Sequence, residues 1–130
     1  MMKEIDKQLP LILSGEVVHG KGLGKTVGMP TANLRIQNEK LPATGVYATK
    51  VRIGEETYCS VTNIGRRPSV DEEKHITVES FIFDFDKDIY GQTVTLEVCK
   101  YLRPVQKFHN LKEVHEQVEK DIEQTKKYFE

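Results

Sequence analysis

Apolar and polar residues alternate along most of the chain, and this two-residue period predicts β-strands. Runs rich in β-branched and aromatic residues predict five of them, at Leu11 to His19, Val46 to Ile53, Thr57 to Ile64, Ile76 to Phe85 and Thr93 to Tyr101. The short segment Gly54-Glu55-Glu56 separates the second run from the third. It is typical of a hairpin, so these two strands should pair antiparallel.

The connections contain turn residues and charges. Leu34 to Lys40 is interpreted as a polar connector and Leu41 to Gly45 as a turn, because Pro and Gly interrupt regular structure. Gly65 to Lys74 is expected to be an exposed, charged loop, and Asp86 to Gly91 a turn.

The period changes near the end of the chain. From Leu111 the apolar residues recur at the three-to-four spacing of one helical face, as Val114, Val118, Ile122 and Phe129, opposite Glu113, Glu116, Lys120 and Lys127. Asn110 followed by Glu113 is typical of an N-cap with its returning carboxylate. Strands followed by one helix predict a mainly β fold, a small closed antiparallel barrel with the helix packed on it.

Length and charge describe an ordinary globular domain. The 130 residues suffice for one core, so residues 1–130 are predicted to form one domain with a flexible segment at 1–10. The net charge of −1 lends no support to a nucleic-acid partner. No apolar run is long enough to span a membrane, and the acidic start does not resemble a signal peptide. We therefore expect a cytoplasmic protein with no membrane partner.

The cysteines and histidines do not indicate a metal site. Cys59 and Cys99 each lie within a predicted strand and form no C-x-x-C pair, which favours reduced, buried thiols over a disulfide or a zinc site. The four histidines show no metal-ligand spacing.

Glycines are concentrated between the first two hydrophobic runs. Four of them, with two lysines, lie in nine residues and permit close backbone approach to a phosphate: Gly20, Lys21, Gly22, Gly24, Lys25 and Gly28. The P-loop pattern fails, because His19 occupies the place of its first glycine and Pro30 forbids the helix that must follow. A mobile glycine loop without a ligand is the alternative interpretation.

Oxygen-bearing side chains follow this loop. Pro30 holds the chain extended, so Thr31 and Asn33 should lie on the same side two residues apart. A hydroxyl and a carboxamide beside a cationic loop are donors that magnesium and nucleotide phosphates accept. These residues predict a magnesium-nucleotide site.

Glu79 is an unusual residue of the fourth strand. Strict alternation places its carboxylate on the same face as Phe81, Phe83 and Phe85, where it needs a partner or a cavity. Such a carboxylate is a candidate general base. Alternatively, this face points outward at the start of the strand, or Glu79 pairs with an arginine.

Taken together, these segments resemble the riboflavin kinase (flavokinase) family. The resemblance covers Gly15 to Phe129 and rests on segments in the family's order, namely Gly22 to Leu34 with Pro30-Thr31-Ala32-Asn33, Asn63-Ile64-Gly65, Val78-Glu79, Asp88-Ile89-Tyr90-Gly91, and Tyr101-Leu102-Arg103-Pro104 leading to Lys107-Phe108. It implies a six-stranded antiparallel barrel with a C-terminal helix. It also implies transfer of the γ-phosphoryl group of ATP to riboflavin, giving FMN and ADP.

The resemblance also implies roles for individual residues. Thr31 and Asn33 would bind Mg²⁺ and phosphates, Asn33 and Glu79 would take part in catalysis, and Glu79 would be the base. The nucleotide would contact the glycine loop, Pro30, Ile89 and Tyr90. Riboflavin would contact Glu79, Arg103, Lys107, Phe108 and Leu111. Small molecules would be the partners of a monomer.

The chain departs from the family pattern in places. Lys25 stands where the family commonly has arginine, which replaces a bidentate phosphate contact by a point charge. Ser69 replaces a usual threonine. Many bacterial relatives also carry an adenylyltransferase domain that makes FAD, and this chain is expected to stop at FMN; its Met1-Met2 start favours a natural single-domain enzyme over an excised fragment. A non-catalytic barrel that binds a flavin or nucleotide for regulation is the alternative.

Overall fold

The computed structural model describes residues 8–18, 31–37, 41–67, 75–85 and 87–130. These residues form six strands and one helix, namely β1 Leu11–Val18, β2 Ala32–Ile36, β3 Gly45–Ile53, β4 Glu56–Arg67, β5 His75–Ile82, β6 Thr93–Arg103 and α1 Leu111–Tyr128. The strands close into a barrel in the order β1-β2-β5-β4-β3-β6, and every neighbouring pair is antiparallel. The predicted fold class is confirmed.

The alternation pattern missed strand β2. Leu34 to Ile36, interpreted as connector, pairs with β1, and Leu34 also pairs with β5 and is buried between Val17 and Val78. Only one side chain in this short strand is fully buried, so the segment lacks the apolar run on which the strand prediction depended. Residues 38–40 lie outside the described part of the chain.

The expected loop at 65–74 was also partly wrong. Gly65–Arg67 continue β4 and pair with β5 as far as His75. An antiparallel ladder supplies hydrogen bonds to charged residues as readily as to apolar ones, so local charge did not mark the end of the strand. Residues 68–74 lie outside the described residues.

Strand β5 ends earlier than its alternation suggested. The chain turns after Ile82, and Asp84 takes a positive φ of 54°. Phe83 stays on the outer surface with Phe81, whereas Phe85 packs against the interior core and meets Tyr58 edge-to-face at 5.0 Å. The prediction that all three phenylalanines share a face with Glu79 was therefore wrong for Phe85.

The barrel interior combines an apolar core with a chain of hydroxyl groups. Thr49 Oγ1 lies 2.5 Å from Ser60 Oγ and 2.8 Å from Thr62 Oγ1, and Thr62 donates to Ser80 Oγ at 3.0 Å. All four residues are fully buried. Because each hydroxyl has a partner within the chain, these polar groups are accommodated in the core without water.

Helix α1 covers the outer surface of β3 and β4. Its N-terminus is capped as predicted, since Asn110 accepts from the Glu113 N–H at 2.9 Å while the Glu113 carboxylate accepts from the His109 N–H at 3.0 Å. Ile122 contacts the outer apolar cluster of Val46, Val61 and Phe83.

The buried face of α1 is more polar than predicted. Its fully buried residues are Asp121 and Thr125, whereas Val114, Val118 and Ile122 are half-buried. The face of α1 that contacts the barrel is thus centred on Asp121 and Thr125, and the apolar residues lie beside this centre. Polar contacts with the barrel fix this rotation, because Asp121 binds Arg103 at the end of β6.

Cys59 and Cys99 are free, as predicted, but both are only half-buried. Partial burial, aided by the negative charge of Glu97, raises the pKa of the Cys99 thiol to about 12. This shift opposes thiolate formation at neutral pH and gives Cys99 the character of an unreactive packing residue.

Within the described residues, no helix is long and apolar enough to cross a membrane.

A buried hydroxyl without a partner offers a test of the packing of α1. Thr125 Oγ1 is fully buried and has no hydrogen-bond partner among the described residues. Thr125→Val keeps the shape, and the two residues have similar helix propensities, so removing this unsatisfied group should raise the free energy of unfolding by about 1 kcal/mol. Urea denaturation measures the change.

Thr49→Val is the matched control, since it makes the same substitution within the hydroxyl chain. It leaves Ser60 and Thr62 short of a partner and should lower the free energy of unfolding by about 1–3 kcal/mol. Similar losses in both variants would contradict our account of Thr125.

Candidate active site

The barrel register places a carboxylate between two carboxamides. Glu79 on β5 lies directly opposite Asn33 on β2 and, on its other side, directly opposite Asn63 on β4. Opposed residues of an antiparallel pair share a face, with Cβ atoms about 4.5–5.5 Å apart. The flanking Val78 and Ser80 are buried inside the barrel, so Glu79 and its two neighbours lie on the outer surface.

The row of opposed residues continues around the barrel. Asn63 lies opposite Val46 on β3, and Val46 lies opposite Arg103 on β6. We call these five residues the outer row: Asn33, Glu79, Asn63, Val46 and Arg103. Glu79 and Arg103 are three strand spacings apart, or about 14 Å along the sheet. Residues distant in sequence thus share one face of the sheet, within which Val46 is buried.

The surroundings of Glu79 differ from those expected from the alternation. Its side chain is half-buried on the outer face, beside Phe81 but also beside two carboxamides. The alternative in which this face points outward is the one observed. No ion pair joins Glu79 to any arginine among the described residues.

A pocket of about 110 Å³ opens beside the outer row. It is lined by residues of β1, β2, β5 and the segment before β6, namely Val17, Thr31, Ala32, Ser80, Ile82, Phe85, Lys87, Ile89 and Tyr90. Ala32 and Ser80 are the strand neighbours of Asn33 and Glu79. Neighbours on a strand point to opposite faces, so the pocket, which we call the rim pocket, lies on the inner side of the β2–β5 pair whose outer side carries Asn33 and Glu79, and Thr31, Ile89 and Tyr90 line it together.

The turn carrying Ile89 and Tyr90 is fixed to the barrel. The Gly91 N–H donates to the Val17 carbonyl at 2.8 Å, and the Val17 N–H donates to the Gln92 carbonyl at 2.9 Å. Gly91 has a φ of +84°, a conformation that favours glycine. Ile89 is buried in the core while Tyr90 is exposed, so the turn holds one aromatic ring at the mouth of the rim pocket.

The segment from 104 to 110, which we call the strap, joins β6 to α1. Phe108 is half-buried, with Arg103 Cζ 5.9 Å from its ring centroid. Lys107 and Leu111 are exposed. Of the predicted flavin-binding residues, the structure thus brings Arg103 and Phe108 together at the far end of the outer row from Glu79.

The remaining nucleotide assignments lie outside the described residues. They are Gly20, Lys21, Gly22, Gly24, Lys25, Gly28 and Pro30. Val18 at the end of β1 lies opposite Asn33, so the chain enters the glycine-rich stretch beside the outer row. The phosphate-binding role of this stretch stays a prediction.

The sequence interpretation missed Asn63 and Asp121. Asn63 had been quoted only as part of a family segment, and its position opposite Glu79 depends on a strand register that no local pattern specifies. The position of Asp121 on the buried face could have been predicted from the sequence. It shares the three-to-four spacing of one helical face with Val114, Val118, Ile122 and Thr125. A carboxylate on that stripe indicated a cationic partner.

The donor set suits a magnesium ion that is bound together with phosphates. Thr31 and Asn33 are half-buried and provide neutral oxygens next to Glu79. The described residues contain no group of three or more His, Cys, Asp or Glu side chains that would hold a metal alone. Mg²⁺ commonly takes few protein ligands and several phosphate or water oxygens, so these residues fit it as part of a metal-nucleotide complex.

Comparison with known proteins gives concordant matches. A family model described as Flavokinase: Riboflavin kinase matches residues 7–129. A bifunctional riboflavin kinase/FMN adenylyltransferase of Bacillus subtilis (strain 168) is 39% identical over 123 residues, covering 92% of this chain and 39% of the relative. The chain therefore spans about two fifths of the length of such curated relatives.

Two solved structures share the fold. The crystal structure of a macrolide-efflux protein from Streptococcus pneumoniae matches with a TM-score of 0.86 and 36% identity, covering 90% of this chain and 38% of that one. The crystal structure of riboflavin kinase from Trypanosoma brucei matches with a TM-score of 0.64 and 25% identity, covering 92% of this chain and 79% of that one.

Proposed function

The chain belongs to the riboflavin kinase family, and on that premise we propose that it transfers the γ-phosphoryl group of ATP to the terminal ribityl hydroxyl of riboflavin, giving FMN and ADP. The observation that carries the proposal is the position of Glu79. It lies opposite Asn33 on the outer row, and Thr31, two residues before Asn33, lines the rim pocket, so the chain from Thr31 to Asn33 leads from the pocket to the candidate base.

The adenine end of ATP occupies the rim pocket in this proposal. Its adenine lies against Ile89 and Tyr90, and its phosphates extend past Thr31 towards Asn33. Bound through Thr31, Asn33 and phosphate oxygens, Mg²⁺ would neutralise charge on the transferring group. The glycine-rich stretch with Lys21 and Lys25 supplies backbone N–H groups and positive charge.

Glu79 accepts the proton of the ribityl hydroxyl. The hydroxyl oxygen forms a bond to the γ-phosphorus, the bond from that phosphorus to the bridging oxygen breaks, and ADP leaves. Phosphoryl transfer demands mainly positioning, charge neutralisation and one proton acceptor. Asn63, opposite Glu79 on the other side, is placed to hold the carboxylate or the ribityl chain by a hydrogen bond from its carboxamide.

Riboflavin lies between Glu79 and the strap, beside the exposed Asn63 and outside Val46, which α1 covers. The distance of about 14 Å from Glu79 to Arg103 suits a three-ring flavin with its ribityl chain directed at Glu79. Phe108 offers an aromatic face for the ring system, and Lys107 and Leu111 flank it on the exposed side. This arrangement assigns the two substrates to opposite sides of Glu79.

A non-catalytic flavin- or nucleotide-binding barrel is the second candidate. It would need the pocket and the strap but not a carboxylate between them. The carboxylate of Glu79 favours the kinase, since phosphoryl transfer needs one acceptor for the hydroxyl proton and a binding module needs none.

The direct test is turnover. The purified chain, incubated with riboflavin, ATP and MgCl₂, should form FMN and ADP in equal amounts, as measured by chromatography with fluorescence detection. Omission of the metal should abolish the reaction. Riboflavin binding without formation of FMN would support the regulatory module instead.

Removing either proposed metal-phosphate ligand should slow the reaction. Thr31→Ala and Asn33→Ala are each expected to lower turnover at least tenfold and to weaken binding of the magnesium nucleotide, because each loses an oxygen donor. Thr57→Ala is the control, since Thr57 is exposed on β4 about 20 Å along the strand from Asn63. Normal rate and ATP affinity in both site variants would refute the assignment.

Glu79→Gln separates catalysis from structure. The amide keeps the shape but cannot accept the proton, so turnover should fall by roughly 10²- to 10⁴-fold, while riboflavin and ATP still bind and the melting temperature holds or rises. Glu55→Gln, at the exposed hairpin turn, controls for loss of one charge. A destabilised but fully active enzyme would remove Glu79 from the mechanism.

A further inference from the structure

Arg103 and Asp121 form a bidentate ion pair between β6 and α1. Arg103 Nε donates to Asp121 Oδ1 at 2.9 Å, and Nη2 donates to Oδ2 at 2.8 Å. The Asp121 side chain is 2% exposed and that of Arg103 is 17% exposed. Gln117 Nε2 also donates to Asp121 Oδ1 at 3.0 Å. The planar fork fixes the orientation of the guanidinium as well as its position.

The same guanidinium contacts the strap at two residues, Pro104 and Phe108. Its Nη1 donates to the Pro104 carbonyl at 3.1 Å, and its Cζ lies 5.9 Å from the Phe108 ring centroid. At the other end, the Asn110 cap fixes the strap to α1. Arg103 therefore joins β6, α1 and the strap through one rigid group.

These contacts limit what Arg103 offers a substrate. Its fork is directed at Asp121 and a further donor is directed at Pro104, so three of its five N–H groups are engaged within the protein. These contacts favour a role for Arg103 in holding the strap over its predicted role as a direct flavin ligand.

Stability alone does not account for the pair. A buried ion pair commonly stabilises a fold no more than apolar residues of similar volume, because both charges lose hydration. What apolar residues would not provide is a directional link from α1 to the Pro104 carbonyl and the Phe108 ring. The geometry therefore indicates a positional role.

We propose that Asp121 is a positioning residue for the flavin site. It orients Arg103, and Arg103 holds the strap so that Phe108 forms one wall of the flavin subsite at the end of the outer row. The location of the flavin in this inference rests on the proposed function. The inference that Asp121 and Arg103 hold the strap in one conformation does not.

The first test is Asp121→Asn, which keeps the shape and removes the charge. Riboflavin KM should rise about tenfold or more through displacement of the wall, while ATP KM changes less than twofold. In the absence of ligands, hydrogen exchange of amides in 105–110 should accelerate. Glu123→Gln is the control, an exposed carboxylate on the same helix. Arg103→Lys, which keeps the charge without the fork, should have an intermediate riboflavin KM.

A second variant covers the case in which Asp121→Asn does not fold. Arg103→Met with Asp121→Leu removes both charges at similar volume, so no unpaired charge is buried and the fold should persist. Riboflavin KM and strap exchange should still rise. A folded variant with wild-type values for both would overturn the inference. If the wild-type chain neither binds nor phosphorylates riboflavin, the proposed function fails, and the exchange of the strap still decides whether Asp121 orders it.

Discussion

The candidate site depends on the register of a closed antiparallel barrel. Glu79 lies beside Asn33 and Asn63 because β5 is hydrogen-bonded on both edges, and closure fixes each strand relative to its two neighbours. A slip of one residue in β5 would turn Glu79 into the core and expose Val78 and Ser80. Burial of Leu34, Val78 and Ile64 stabilises this register. The register in turn sets the positions of the polar groups on the outer face of the barrel.

Two apolar layers maintain this arrangement. The interior core fills the barrel, and a smaller outer cluster of Val46, Val61 and Phe83 is covered by α1. Val46 belongs to both the outer row and the outer cluster, so the helix is attached to the surface that leads from Glu79 to Arg103. The hydroxyl chain inside the barrel places polar groups where each finds a partner, which favours one register over others that would leave them unpaired.

The two sides of the site are built differently. On the rim-pocket side, backbone hydrogen bonds from Val17 hold the turn with Ile89 and Tyr90. On the strap side, a side-chain network centred on Arg103 and Asp121 connects strand, helix and loop. Side-chain links are more easily rearranged than a β-ladder, which would suit the strap in its proposed role beside the flavin. Glu79 lies on β5 between them, on a strand that is hydrogen-bonded along both edges, which would position the proposed base accurately.

The sequence by itself determined the elements with strong periodicity. The β3–β4 hairpin and the capped start of α1 follow from local patterns, and each was predicted correctly. Local patterns did not predict the short strand β2, the extension of β4 through Arg67 or the turn at Asp84, because pairing partners distant in sequence decide them.

The same division applies to the site. Thr31, Asn33 and Glu79 were identified as chemically unusual residues before any geometry was known, and the resemblance supplied their roles. Only the tertiary structure placed Asn63 opposite Glu79 and Asp121 on Arg103. Register and helix rotation are set by the packing of whole elements against one another, and a local pattern does not contain that information.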